Sequence, residues 1–132
     1  MRAVGMSDVR EEMSEQTTGR ITVDPDVLLT IVRFTALQEP GVARLSSRRP
    51  RLGKHAWHGK RARTRGLAIH VAEGRVSVEI HVVADGTVNA HVLGERLQEH
   101  IADALNEMVG MPVDRVKVVI DDVERRQRSA RS

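Results

Sequence analysis

The stretch from Gly66 to Val123 constrains the fold of this chain more than any other part. It reads as strand, tight turn, strand, helix, strand, with buried positions that are almost purely aliphatic. Leu67, Ile69 and Val71 alternate with Ala68, His70 and Ala72. Val76, Val78, Ile80 and Val82 alternate with Ser77, Glu79, His81 and Val83, the period of a half-buried strand. Glu73-Gly74 fits a two-residue hairpin turn, which sets Val71 opposite Val76 and His70 opposite Ser77. Asn89 is placed to cap a helix whose stripe is Leu93, Leu97, Ile101, Ala104, Leu105 and Met108. Gly110-Met111-Pro112 stops that helix. In the last strand Val116, Val118 and Ile120 face inward, with Arg115, Lys117 and Asp121 outward. The block holds no Cys, Tyr, Trp or Phe and no compact ligand cluster, so it points to binding or scaffolding rather than catalysis.

Upstream, the polar and aperiodic residues 1–18 read as a disordered arm. Gly19–Val23 reads as a short strand. Asp24-Pro25-Asp26 starts a helix: Asp24 caps, Pro25 suits the first turn, and Asp26 complements the dipole. Its inner face is expected to be Val27, Leu28, Ile31, Phe34 or Thr35, and Leu37 or Gln38, ending before Pro40-Gly41. Val42–Ser47 continues as a short strand or extended connection, and Ser46–Arg65 reads as a long mobile loop. The expected fold is α+β: one small β-α-β-β-β-α-β domain over residues 19–123, its sheet carrying both helices on one face.

At 132 residues the chain accommodates one such domain with a sufficient core. The absence of cysteine excludes disulfides and thiolate chemistry, and no apolar run approaches the ~20 residues of a membrane span. A cytoplasmic location is the expectation. The net charge of +3 conceals a partition. Arg48–Arg65 carries +8 and the basic tail 124–132 carries +3, whereas Gly19–Ser47 and Gly66–Val123 together carry −6. The basic charge therefore belongs to appendages of an acidic body.

The residues resemble those of the alkaline shock protein family, also called envelope stress response proteins. Its opening pattern is met by Gly19, Ile21, Val23, Pro25 and Val27, then by Pro40, Gly41 and Val42 at the turn after the helix. Its second half is matched by Val88-Asn89-Ala90 and by Val116, Val118, Ile120 and Asp122. These are folding residues rather than catalytic groups. The resemblance implies a small bacterial α/β protein without enzymatic activity or cofactor. It also implies a cytoplasmic protein held at the inner face of the membrane by an integral membrane partner and linked to cell-envelope and alkaline stress. The basic segment Arg48–Arg65 departs from the family pattern.

Candidate chemistry is sparse. His55 and His58 lie in basic surroundings, His91 and His100 are too far apart on one helix to share an ion, and His70 and His81 are out of register. Surface histidines are therefore expected, and no metal. Asp121-Asp122 should point to opposite strand faces and serve solvation or strand termination. No two glycines stand three apart, so no phosphate-cradling glycine motif exists. The one candidate site is the set Arg48, Arg49, Arg51, Lys54, Trp57, Lys60, Arg61, Arg63 and Arg65, fit to meet an anionic partner such as lipid headgroups or nucleic acid. The expected function is that of a non-enzymatic adaptor acting through protein contacts and self-association. A nucleic-acid-binding module is the alternative, weakened by the presence of only two aromatics, Phe34 and Trp57.

Overall fold

The computed structural model describes residues 21–51 and 59–125. The arm 1–18 and most of the basic tail 124–132 lie outside the described residues. In chain order the described residues form α1 (Pro25–Leu37), β1 (Val42–Leu45), β2 (Lys60–Thr64), β3 (Leu67–Ala72), β4 (Arg75–Ala84), α2 (Ala90–Val109) and β5 (Val113–Val123). The α+β architecture expected from the sequence is present, with a different element order. Ile21–Val23 is not a strand, while part of the presumed loop, Lys60–Thr64, is β2. Alternation identifies a strand by its buried face, and β2 (Lys-Arg-Ala-Arg-Thr) has almost none, so hydropathy conceals it.

Strand β4 is the hub of the mixed sheet. β5 runs parallel to it from Val76 to Ala84, and β3 runs antiparallel over Arg75–Ile80. β1 pairs antiparallel with Val82–Ala84, so β1 and β3 share one edge of β4 end to end. β2 then pairs with β3. The hairpin register is as read from the sequence: Val71 opposes Val76 and His70 opposes Ser77. Glu73 (φ 54°) and Gly74 (φ 74°) both take positive φ, as a two-residue primed turn requires.

Both helices cover one sheet face. Leu67 and Ile69 of β3 with Val76, Val78, Ile80 and Val82 of β4 pack against Leu28, Val32 and Ala36 of α1 and Leu93, Leu97, Ile101 and Leu105 of α2. Complete burial of each large aliphatic side chain contributes roughly 1.5–3 kcal/mol. α1 lies over β1, β2 and β3, and α2 over β5. The caps are as anticipated: Asp24 accepts from the Asp26 N–H, Asn89 from the His91 and Val92 N–H groups, and Gly110 closes α2 in the left-handed region.

The inner face of α1 is rotated from the expected one. Leu28, Val32 and Ala36 are buried, whereas Val27 (46% exposed), Phe34 (60%) and Leu37 (48%) face outward. Met108 of α2 is likewise exposed. A buried carboxylate, Glu39, follows α1 and meets His100 Nδ1 of α2 at 2.5 Å, joining the two helices. Leu28→Ala is expected to cost about 2–5 kcal/mol by leaving a cavity, and Phe34→Ala less than about 1 kcal/mol. Urea unfolding of the two variants checks the rotation, since the face expected from periodicity predicts comparable losses.

Candidate functional site

The sheet face left uncovered by the helices carries the His81 cluster and the charged side chains of the central strands. Strand alternation puts Arg61 and Arg63 of β2, His70 of β3, Ser77, Glu79 and His81 of β4, and Arg115, Lys117 and Asp121 of β5 on it. A trough of about 610 Å³ runs across this face, floored by Ala68, Ala72 and Ser77 and rimmed by charges of both signs, including Arg51, Glu73, Glu79 and Lys117. Arg75 and Asp114 pair at 3.5 Å on its rim. Small floor residues with a mixed rim leave room for a segment of another chain and offer it both donors and acceptors.

At the centre of the sheet, His81 ties several elements together. Its carbonyl accepts from the Ser46 N–H at 2.8 Å and its N–H donates to the Gly66 carbonyl at 2.8 Å. It therefore stands where β1 ends and β3 begins. Its ring lies between two carboxylates, Glu79 Oε2 at 2.7 Å from Nε2 and Asp121 Oδ1 at 3.4 Å from Nδ1. A neutral imidazole can donate to one of these, and an imidazolium donates to both. The Ser46 hydroxyl lies beside Asp121 and accepts from the Arg48 N–H at 3.1 Å. Asp121 Oδ2 is buried and has no hydrogen-bond partner of good geometry.

Burial raises the pKa of the Asp121 carboxyl. That effect is outweighed by the Ser46 hydroxyl, by the charge and hydrogen bond of His81, and by the Arg48 guanidinium, which hold the carboxyl below its ordinary value. The solvated role expected for Asp121 is therefore corrected: its side chain is 12% exposed and bound to His81. His81 is likewise not a surface histidine, with a side chain 14% exposed. His91 is one, 84% exposed and paired with Glu95 one helical turn away. Glu79 and His81 share a strand phase legible in sequence, but Asp121 joins them only through the parallel register of β4 and β5, which no local pattern signals. Among the described residues no group of three His, Cys, Asp or Glu could hold a metal ion.

The basic set is divided by the structure. Arg49, Arg51, Arg61 and Arg63 line a second cavity of about 540 Å³. Arg48 is drawn toward the His81 cluster, and its carbonyl accepts from the Gly66 N–H at 2.6 Å. Arg63 donates to the Pro50 carbonyl at 3.4 Å, and Pro50 is fully buried. Residues 48–51 form no regular element and are held to the sheet by these contacts. Lys60 falls on the opposite face of β2, paired with Val71, and Arg65 is exposed in the turn before β3. Lys54 and Trp57 lie outside the described residues.

Among the described residues no helix is long and apolar enough to cross a membrane. Against models of protein families, residues 13–125 match the alkaline shock protein 23 family, described as having a cell envelope-related function. Comparison with curated proteins and with solved structures returns no match.

The lowered pKa of Asp121 sets a sign for acid stability. The native carboxyl takes up its proton at lower pH than the unfolded one, so its contribution is complete above the ordinary value of ~3.9 and is lost as pH falls through the native value. The stability difference between the wild-type chain and Asp121→Asn should therefore shrink as pH falls below about 4. Urea midpoints measured across that range check it, and a difference that widens on acidification contradicts it.

Proposed function

Because the chain belongs to the alkaline shock protein 23 family, whose function is cell envelope-related, we propose that it is a non-enzymatic adaptor of the envelope stress response. It works through protein–protein contacts close to the membrane. The observation that carries this reading is the family match over residues 13–125, which spans the whole of the described body. The open sheet face supports it: a trough floored by small side chains and rimmed by both charge signs suits a polypeptide segment. The partner class is an envelope protein with a membrane anchor.

The basic residues supply the second element. Arg49, Arg51, Arg61 and Arg63 gather at the β2 side of the sheet, and each cation near an anionic bilayer contributes about 1 kcal/mol of attraction. This orients the β2 side toward the cytoplasmic leaflet and raises the chance of meeting a membrane-bound partner. The contribution is electrostatic, so it weakens within a Debye length of about 8 Å at physiological salt.

Affinity capture of the full chain at native abundance from detergent-solubilised cells tests the reading. The expected outcome is enrichment of an integral envelope protein that survives nuclease treatment. Recovery that disappears with nuclease would favour nucleic-acid binding and sink the adaptor. For the electrostatic element, the full chain should co-sediment with vesicles containing phosphatidylserine, less so as salt rises. Replacing Arg49, Arg51, Arg61 and Arg63 with Glu should abolish co-sedimentation, and salt-independent binding to neutral vesicles would contradict it.

A further inference from the structure

Two recesses of opposite character meet at Arg51, which borders both. The central trough is of mixed sign, with Glu73, Glu79 and Asp114 among its lining residues. The second cavity, about 540 Å³, is lined by Arg49, Arg51, Arg61, Ala62 and Arg63. Among the described residues its lining holds four guanidinium groups and no carboxylate, so its field has one sign. All four arginines are exposed to solvent. The volume falls within the ~300–1,000 Å³ of small-ligand pockets and admits a group larger than a single ion.

The arginines form two pairs, each spaced two residues apart. In β2 the strand repeat puts Arg61 and Arg63 on one face, about 6.6 Å apart along the backbone. Arg49 and Arg51 flank Pro50, whose ring fixes φ and whose side chain is fully buried. Arg63 Nη1 donates to the Pro50 carbonyl at 3.4 Å and so ties the two pairs together. An anion that bridges them meets an anchored frame, which lowers the ordering cost of binding. The side-chain type narrows the ligand further. A guanidinium presents its N–H groups as a planar fork that matches phosphate oxygens two at a time, whereas an ammonium acts as a point charge. Arginine fills all four lining positions, while Lys60 lies on the opposite face of β2. A terminal phosphate offers three acceptor oxygens and up to about two charges to such forks, more than a diester does.

We propose that the cavity of Arg49, Arg51, Arg61 and Arg63 is a binding site for a phosphomonoester or pyrophosphate group, held between the β2 pair and the pair that flanks Pro50. The same chemistry is offered by a soluble phosphorylated compound and by the headgroup of phosphatidic acid in a bilayer. The site therefore discriminates among anions, which diffuse attraction to a charged membrane does not. It deepens the electrostatic element of the adaptor reading and rests on that reading only for the membrane as a source of the ligand. The two fail separately. Vesicles of phosphatidylserine can bind the chain without any preference for a terminal phosphate, and pyrophosphate can bind without any affinity for vesicles.

Isothermal titration calorimetry of the purified full chain with pyrophosphate, in magnesium-free buffer at physiological salt, tests the site. One-to-one binding is expected, with citrate, a carboxylate anion of comparable charge, about tenfold weaker. The double variant Arg49→Lys/Arg61→Lys keeps the net charge and should bind pyrophosphate about tenfold more weakly. Arg96→Lys, on an exposed position of α2, should bind as the wild-type chain does. Circular dichroism verifies that each variant is folded. Vesicles of phosphatidic acid and of phosphatidylserine, matched in surface potential, then separate the sources. Stronger co-sedimentation with phosphatidic acid, lost in the double variant, supports the site with a lipid headgroup as ligand. Pyrophosphate binding without that preference supports it with a soluble ligand. Absence of pyrophosphate binding overturns the proposal, as does equal binding of citrate or a double variant indistinguishable from the wild-type chain. Equal displacement of pyrophosphate by an oligonucleotide lacking terminal phosphates also overturns it, because the surface would then read diesters.

Discussion

The backbone of His81 carries the join on which the sheet depends. Strands β1 and β3 come from different parts of the chain and lie in line along one edge of β4. Their meeting point has no ladder of its own and is closed by the Ser46 and Gly66 bonds to His81. Gly66 is required there: its φ is +77°, and a Cβ added to it would lie only 2.6 Å from the Ser46 carbonyl oxygen, so any side chain would force the strands apart. The His81 ring then fastens β5 from the opposite edge through Asp121. One residue thus bonds β1, β3 and β5 to the hub strand, and charged partners in a partly buried setting make those bonds stronger than exposed ones.

The same join determines what the open face can offer. Residues 48–51 are held to the sheet by the Gly66–Arg48 bond and by burial of Pro50, which brings Arg49 and Arg51 to Arg61 and Arg63. The acidic body and these basic residues are therefore not independent. The cations are anchored to the sheet beside a trough of mixed charge, whereas a tail would present them without orientation. The family to which the chain belongs has a cell envelope-related function.

Much of the fold is legible in the sequence, for physical reasons that also explain the gaps. The β3–β4 hairpin can be read to the register because its alternation is strict and its turn type admits one pairing. Asn89 and Asp24 announce their helices because capping is local chemistry. The inner face of α1 is ambiguous because Val27, Phe34 and Leu37 are as apolar as Leu28 and Val32, so periodicity alone admits two stripes. β2 escapes notice because a cationic edge strand is defined by the partner it pairs with, not by its own hydropathy. The basic segment is legible as a candidate site, but not which of its cations converge. The His81 cluster and the Glu39–His100 contact join residues far apart in the chain, and no local pattern records them.

The proposed adaptor role requires that the open sheet face receive a protein partner. Site-specific photo-cross-linking in living cells tests this most directly, with the photoreactive residue placed at Ser77 on the trough floor and, as a comparison, at Thr30 on exposed α1. The predicted result is a discrete adduct with an envelope protein from position 77 and little or none from position 30. Adducts from position 30 alone, or from position 77 only to nucleic acid, would contradict it.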